Sequence, residues 1–322
     1  GESVYKFEEE FAKYIGTKFA TSVNSGNAAL HLSLLALGIN NKSSVITSTN
    51  SFIASANCIL MTGAKPILCD IKPEDGNIDI SSTDEKADAI IPVHIYGNPC
   101  DFNSIRRMSE ESKIPIIEDA CQAHGAKYFD KKVGSLGDVG CFSFYPTKNM
   151  TVGGDGGMIT TNNEEIQSEV ISLRDNGRKS HTTHDKLGFT MRLNTVNAAI
   201  GRIQLSHLDE RNSRRQKIAE LYKKHLSEDY FLIENPNGSS VFHQIIFRHK
   251  KRNDIMEHLS KNGIGTAIHY PIPIHKQPLY SYLNLTLSIS EEFSNQVLSL
   301  PSYPQLSDDD VKFVCETINQ IL

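Results

Sequence analysis

The sequence predicts an α/β protein: a mostly parallel sheet sandwiched by helices, followed by a smaller C-terminal α+β domain. Three observations predict it. Strand-sized apolar runs recur along the chain with helical or loop stretches between them. The runs are continuously apolar rather than alternating, as expected of strands buried on both faces. The pattern then changes after about Leu193, and a chain of 322 residues is long enough for two lobes.

The elements follow in order. Phe7, Phe11, Tyr14 and Ile15 recur at helical spacing, and Gly16 ends that helix. Phe19 to Val23 is short and strand-like. Ser25-Gly26-Asn27 opens a second helix carrying Leu30, Leu34 and Leu37, stopped by Gly38. Further strands are expected at Ser44 to Thr47, Pro66 to Cys69, Ala89 to Val93, Ile114 to Ile117, Gly140 to Phe144 and Gly157 to Thr160. Asn197 to Leu226 reads as one or two helices with dense surface charge, bridging two lobes. The expected division is residues 1–210 as the large domain and 211–322 as the small one with the bridging helix. In the latter, Val241 to Phe247 and Thr266 to His269 read as strands and Asp254 to Leu259 as a helix. The last helix opens at Ser307 with Asp310 three residues on, the spacing of a capping box.

Composition narrows the function. The net charge is -5 with no long basic run, so nucleic-acid binding has no electrostatic support. Six cysteines are scattered without a Cys-x-x-Cys pair or zinc-type spacing, so no metal site is expected and reduced core thiols of a cytoplasmic protein are. No apolar stretch approaches the ~20 residues of a membrane span. The first residues, Gly1 to Lys6, lack the apolar core of a signal peptide. No Gly-x-Gly-x-x-Gly marks a dinucleotide fold.

The chemistry gathers around Lys148. It stands near the end of the run Gly140 to Asn149, shortly before the loop Gly153-Gly154-Asp155-Gly156-Gly157, where a desolvated amine would have a lowered pKa. Upstream, Asp119 lies just beyond the apolar strand Ile114 to Ile117, where open α/β sheets bind ligands. An amine, a strand-end carboxylate and glycine-rich loops are what pyridoxal phosphate requires. Lysine forms the Schiff base, the acid pairs with the pyridinium nitrogen, and backbone amides hold the phosphate. Asp119 reads equally as a helix N-cap before Ala120 to Ala123. Gly26 and Asn27 sit where a helix N-terminus would favour an anion. Ser143 is placed to reach the same phosphate, although a core serine is the plainer reading. Phe52 could stack on a cofactor ring or fill the core. His94 ends a strand and is either a ring-facing or a satisfied core histidine. His269-Tyr270-Pro271-Ile272-Pro273-Ile274-His275 packs polar rings among stiff prolines, as the wall of a substrate pocket would.

These segments resemble the DegT/DnrJ/EryC1/StrS sugar aminotransferases, a branch of the fold-type I pyridoxal phosphate enzymes. The resemblance rests on Ser25 to Leu30, Pro92 to Gly97, Glu118 to Ala126, Phe142 to Lys148, Gly153 to Gly157, Leu187 to Leu193, His269 to His275 and Leu298 to Pro301, in family order. It implies Lys148 as Schiff-base lysine and proton shuttle, and Asp119 on the pyridinium. Gln122 would lie beside the ring, and Gly26, Asn27 and Ser143 would bind phosphate. The segment Phe189 to Arg192, with Thr190 on the cofactor and Arg192 on substrate, is implied to reach into a partner's site in a homodimer. His94, His269, Tyr270 and His275 are candidate substrate residues. Two positions depart from the family: Asn27 stands where Thr or Ser is usual, and Thr190 where Asn is. Members also carry roughly twenty residues ahead of the match to Val4. The implied activity moves an amino group, with glutamate as donor, to a keto sugar on a nucleotide diphosphate. The alternatives are a related sugar dehydratase, which carries His at the Schiff-base position, and a non-enzymatic regulator.

Overall fold

The computed structural model describes residues 1–322. In chain order the elements are α1 (Glu2–Ile15), β1 (Phe19–Val23), α2 (Gly26–Ala36), β2 (Ser44–Ser48), α3 (Ala54–Met61), β3 (Lys65–Cys69), β4 (Ala89–Ile91), α4 (Phe102–Ser112), β5 (Ile117–Asp119) and the short β6 (Lys127–Tyr128) and β7 (Lys131–Lys132). They continue with β8 (Val139–Ser143), β9 (Gly157–Thr161), α5 (Glu164–Arg174), α6 (Thr195–Ser206), α7 (Leu208–His225), β10 (Gly238–Ser239), β11 (Ile245–Arg248), α8 (Arg252–Lys261), α9 (Ser288–Gln296), β12 (Val297–Leu300) and α10 (Asp308–Asn319).

A parallel trio β3-β2-β4 and the sheet β5-β8-β9-β1 are joined by the parallel bridges Ile90–Ile116 and Val93–Asp119. The resulting order is β3-β2-β4-β5-β8-β9-β1, and β9 alone runs against its neighbours. Both faces are covered, as the continuously apolar runs required. Neighbouring residues Ile116 and Ile117 feed different cores, one with Phe102 and Ile105 of α4, the other with Leu30, Leu34 and Val170 of α2 and α5. A third core joins Phe7 and Phe11 of α1 to Phe142 and Phe144.

Three expectations are corrected. The strand expected at Ile114 to Ile117 pairs later, over Ile117–Asp119, so Asp119 is its last residue and not one beyond it. Val241 to Gln244 is not strand, because Phe242 sits at φ 44 and the extended ladder starts only at Ile245. Thr266 to His269 makes only the bridge Ala267–Ser299, leaving β11 and β12 as a two-stranded ladder. Asn197 to Leu226 is two helices, α6 and α7, which meet at His207. Leu208 at the start of α7 packs with Phe11 and Phe144, whereas Ile218 and Tyr222 pack with Phe247, Leu259 and Val314. The capping box is present: Ser307 Oγ accepts from Asp310 N at 3.0 Å, and Ser307 N donates back to Asp310 Oδ2.

Candidate active site

A cavity of about 830 Å³ opens where β5 and β8 end and α2 begins. Its floor is built by strand ends. Asp119 closes β5, Ser143 closes β8, and Gly26 is the first residue of α2. Segments 243–244, 265–270 and 299–301 form the opposite wall.

Asp119 is buried with both carboxylate oxygens engaged. Ser55 Oγ donates to Oδ2 at 2.7 Å, and the backbone N–H of Cys121 donates to Oδ1 at 3.2 Å. Ser55 in turn contacts Ser51 Oγ at 2.7 Å. Residues 120–126 form turns rather than a helix, which removes the N-cap reading of Asp119. Gln122 is locked at both ends of its amide: Oε1 accepts from Tyr96 N at 2.9 Å, and Nε2 donates to Tyr270 Oη at 3.2 Å.

The amine of Lys148 has no hydrogen-bond partner. Burial pushes its pKa down from the ordinary lysine value, while Cys121 and the Asp119 carboxylate oppose the shift. A lysine held this way spends more time as the unprotonated nucleophile.

The glycine cradle is tight. A Cβ on Gly26 would lie 2.7 Å from Ser143 Cβ and 2.8 Å from Cys121 Sγ, so only glycine lets α2 approach the sheet here. A Cβ on Gly157 would lie 2.4 Å from Ser25 O. Ser25 caps α2 by accepting from Ala28 N at 3.1 Å, leaving the first-turn amides of Gly26 and Asn27 facing the cavity. Asn27 Oδ1 is buried without a partner while Nδ2 contacts Met61 Sδ at 3.5 Å. The donors, the close glycine approach, the free amine and the strand-end acid together fit pyridoxal phosphate.

Of the other sequence candidates, Phe52 lines the cavity and is exposed, so the core reading fails; its ring lies 6.4 Å from that of Tyr270. His269 and Tyr270 line the same wall, with His269 Nδ1 2.7 Å from Ser299 Oγ. His94 does not reach the cavity. It is fully buried, its Nδ1 accepts from Cys100 N at 3.0 Å and its Nε2 meets Glu118 Oε2 at 3.1 Å, so both ring nitrogens are occupied inside the core. His275 is likewise engaged elsewhere, by Thr49 Oγ1 at 2.7 Å and Glu291 Oε1 at 3.1 Å. Thr190 and Arg192 do not line their own chain's cavity. Thr190 Oγ1 donates to Asn176 Oδ1 at 3.1 Å, and Arg192 pairs with Asp175.

Sequence reasoning missed Ser51, Ser55, His243, Gln244, Thr266 and Ser299 on the lining. Ser55 carries no local signal beyond opening α3, and His243 was hidden inside a run read as strand.

The model of the DegT/DnrJ/EryC1/StrS aminotransferase family matches residues 1–319. A dTDP-3-amino-3,6-dideoxy-alpha-D-galactopyranose transaminase of Aneurinibacillus thermoaerophilus is 40% identical over 329 residues, covering 99% of this chain and 90% of that protein. A pleiotropic regulatory protein of Geobacillus stearothermophilus is 37% identical over 330 residues, covering 99% and 89%. The crystal structure of S. venezuelae DesV in complex with a ketimine intermediate superposes with a TM-score of 0.96 at 35% identity, covering 99% of this chain and 89% of that one. This chain therefore belongs to the DegT/DnrJ/EryC1/StrS aminotransferase family.

Proposed function

We propose that the protein is a pyridoxal phosphate-dependent aminotransferase that moves an amino group from glutamate to a keto sugar carried on a nucleotide diphosphate. The observation that carries this reading is the meeting of Lys148, Asp119 and the Gly26 cradle on one cavity. Bound there, pyridoxal phosphate supplies the electron sink for a carbanion at the substrate carbon. The residues supply the rest. Asp119, held by Ser55 and Cys121 N, would accept from the ring nitrogen. Gly26, Asn27 and Ser143 would hold the phosphate, and Gln122, whose amide is already oriented, would lie beside the ring. Lys148 Nζ would carry the proton between the substrate carbon and the cofactor carbon in each half-reaction, as general acid and base. His269 and Tyr270 wall the sugar side. A dehydratase is disfavoured by the lysine at position 148, and a purely regulatory role by the assembled set.

The same reading includes a homodimer in the cytoplasm, a division of the chain near residue 210, and Thr190 and Arg192 serving the partner's cavity. The outward placement of those two residues supports it, together with the exposed apolar side chains of Leu187, Val196 and Ile203 nearby in sequence. No helix is long and apolar enough to cross a membrane. The test is turnover with glutamate against a panel of nucleotide-linked keto sugars, read by product mass. An amine product that disappears in Lys148→Ala is expected. Wild-type turnover in Lys148→Ala would overturn the assignment. Sharing of sites is tested by mixing Lys148→Ala subunits with subunits altered at both Thr190 and Arg192. Recovered activity is expected, and a dead mixture despite confirmed subunit exchange would refute the shared site.

A further inference from the structure

His243 is held from three directions. Its segment pairs with the turn at Tyr96 and Gly97, through Val241 N to Gly97 O at 3.1 Å and Gln244 N to Tyr96 O at 3.3 Å. Arg215, buried on α7, donates to Phe242 O at 3.2 Å and His243 O at 3.5 Å. The ring itself meets Asn149, the residue directly after Lys148, with Nδ1 3.2 Å from Asn149 Oδ1.

That contact determines the tautomer. Asn149 Nδ2 donates to Val241 O at 2.9 Å, and a backbone carbonyl can only accept, so the amide orientation is settled. The other Asn149 hydrogen goes to Asn212 Oδ1 at 2.9 Å, and Asn212 Nδ2 donates to His124 O at 2.8 Å. Asn149 Oδ1 is therefore an acceptor, and His243 Nδ1 carries the proton. In the neutral ring Nε2 is then a bare acceptor. His243 lines the cavity, and no protein group bonds its Nε2. Burial drives the ring well below the ordinary histidine pKa, helped by the charges of Lys148 and Arg215, which face it from the lysine loop and α7, and by His124 in the turn after β5 and His269 on its own wall, which disfavour a further proton. The ring therefore stays neutral and the acceptor stays available.

We propose that His243 is a positioning residue for Lys148. The Asn212–Asn149–His243 chain pins the backbone that bears the lysine to α7, and His243 Nε2 accepts a hydrogen bond from the Lys148 nitrogen, steadying its protonated form for proton return. The inference rests on the reading of Lys148 as the proton-moving group. It does not depend on which sugar is bound.

Two substitutions separate this role from packing. His243→Asn keeps a donor for Asn149 and removes the acceptor. His243→Gln carries a carboxamide to the place of Nε2 and loses the Asn149 contact. Both are assayed as the cofactor-loaded enzyme by melting temperature, cofactor content, steady-state kinetics and the pH midpoint of the bound cofactor's absorbance. His243→Asn should bind cofactor and melt near wild type. Its absorbance midpoint should move down by about one pH unit, and kcat should fall about tenfold while KM changes little. His243→Gln should regain part of both. An unmoved midpoint and kcat in His243→Asn overturns the proposal. So does a loss in both variants that merely follows lost cofactor or lost folded protein. If His243→Asn does not fold, the comparison of His243→Gln with His243→Ala decides it: a midpoint nearer wild type in Gln supports the role, and equal midpoints overturn it. Lys148→Ala is run alongside. Turnover retained there removes the lysine reading itself, whereas a dead Lys148→Ala with an unmoved His243→Asn removes only the role of His243.

Discussion

Glu118 and Asp119 are neighbours in the chain, yet they belong to two different regions of the molecule. Successive residues of a strand point to opposite faces. Glu118 points into the core, where its carboxylate accepts from Gly134 N at 2.7 Å, Leu136 N at 2.7 Å and Gly137 N at 2.8 Å and also meets His94. Asp119 points to the cavity, with Ser55 and Cys121 N behind it. Glu118 is surrounded by donors that fold the turn before β8. Asp119 is buttressed from one side and faces a space on the other. Two acids one residue apart are thus a structural staple and a chemical group, and the number and origin of their hydrogen bonds tell them apart.

The sharpest way to break this contrast is to remove each member in turn. Asp119→Ala should cut turnover by about a thousandfold, an effect on the scale of losing a principal electrostatic stabiliser, with a smaller loss of urea stability than Glu118→Ala because only Cys121 N and the rotatable Ser55 hydroxyl lose an acceptor. Full activity in Asp119→Ala would leave the acid a mere turn former. Glu118→Ala should do the reverse in kind. It leaves three backbone donors without an acceptor, which costs about 3 kcal/mol or more, read as a lower urea midpoint. If Glu118→Ala folds with wild-type stability, the staple reading is wrong.

The cradle gives a third, intermediate effect. Gly26→Ala places a methyl group against Ser143 and Cys121 at distances real Cβ atoms do not tolerate, so α2 must retreat from the sheet. Cofactor affinity should fall about tenfold to a hundredfold by absorbance titration, a loss of one or two anion contacts. Unchanged affinity would show that the phosphate is held elsewhere.

A pH-dependent effect concerns His124, buried against Phe142 and Phe144 with neither ring nitrogen bonded. Burial, reinforced by the Lys148 charge, pushes its pKa from 6.5 down to about 3. Between those values the unfolded chain binds a proton that the folded one refuses. The neutral form is therefore a source of stability that is complete above pH 6.5 and is lost as pH falls toward 3, at up to about 1.4 kcal/mol per unit. His124→Leu should flatten the pH dependence of the urea midpoint in that window. An unchanged slope would mean that His124 is protonated or hydrated in the fold.

Much of this was legible from residue order. The continuous apolar runs identified the sheet because burial on both faces leaves no polar alternation to mislead. That Lys148, Asp119 and Gly26 would meet on one cavity was legible because a lysine beside glycine loops and an acid at a strand end are rare together, whereas Ser143 read alone as a core serine. The histidines were not. His94 and His269 look alike in sequence, each within two residues of a tyrosine and following an apolar run. One is enclosed by Glu118 and Cys100, and the other stands on the cavity wall.

By itself the sequence determined the local events: where helices cap, where glycine is obligatory, and that an amine follows one apolar strand and an acid stands at the end of another. These depend on neighbours within a few residues. Which donors surround a side chain depends on elements far apart in the chain, so only the tertiary structure decided it. Ser55 reaches Asp119 from 64 residues away, Tyr270 reaches Gln122 from 148, and His243 reaches Asn149 from 94. No local pattern encodes those meetings, because it is the packing of whole helices and strands that brings the groups within bonding distance.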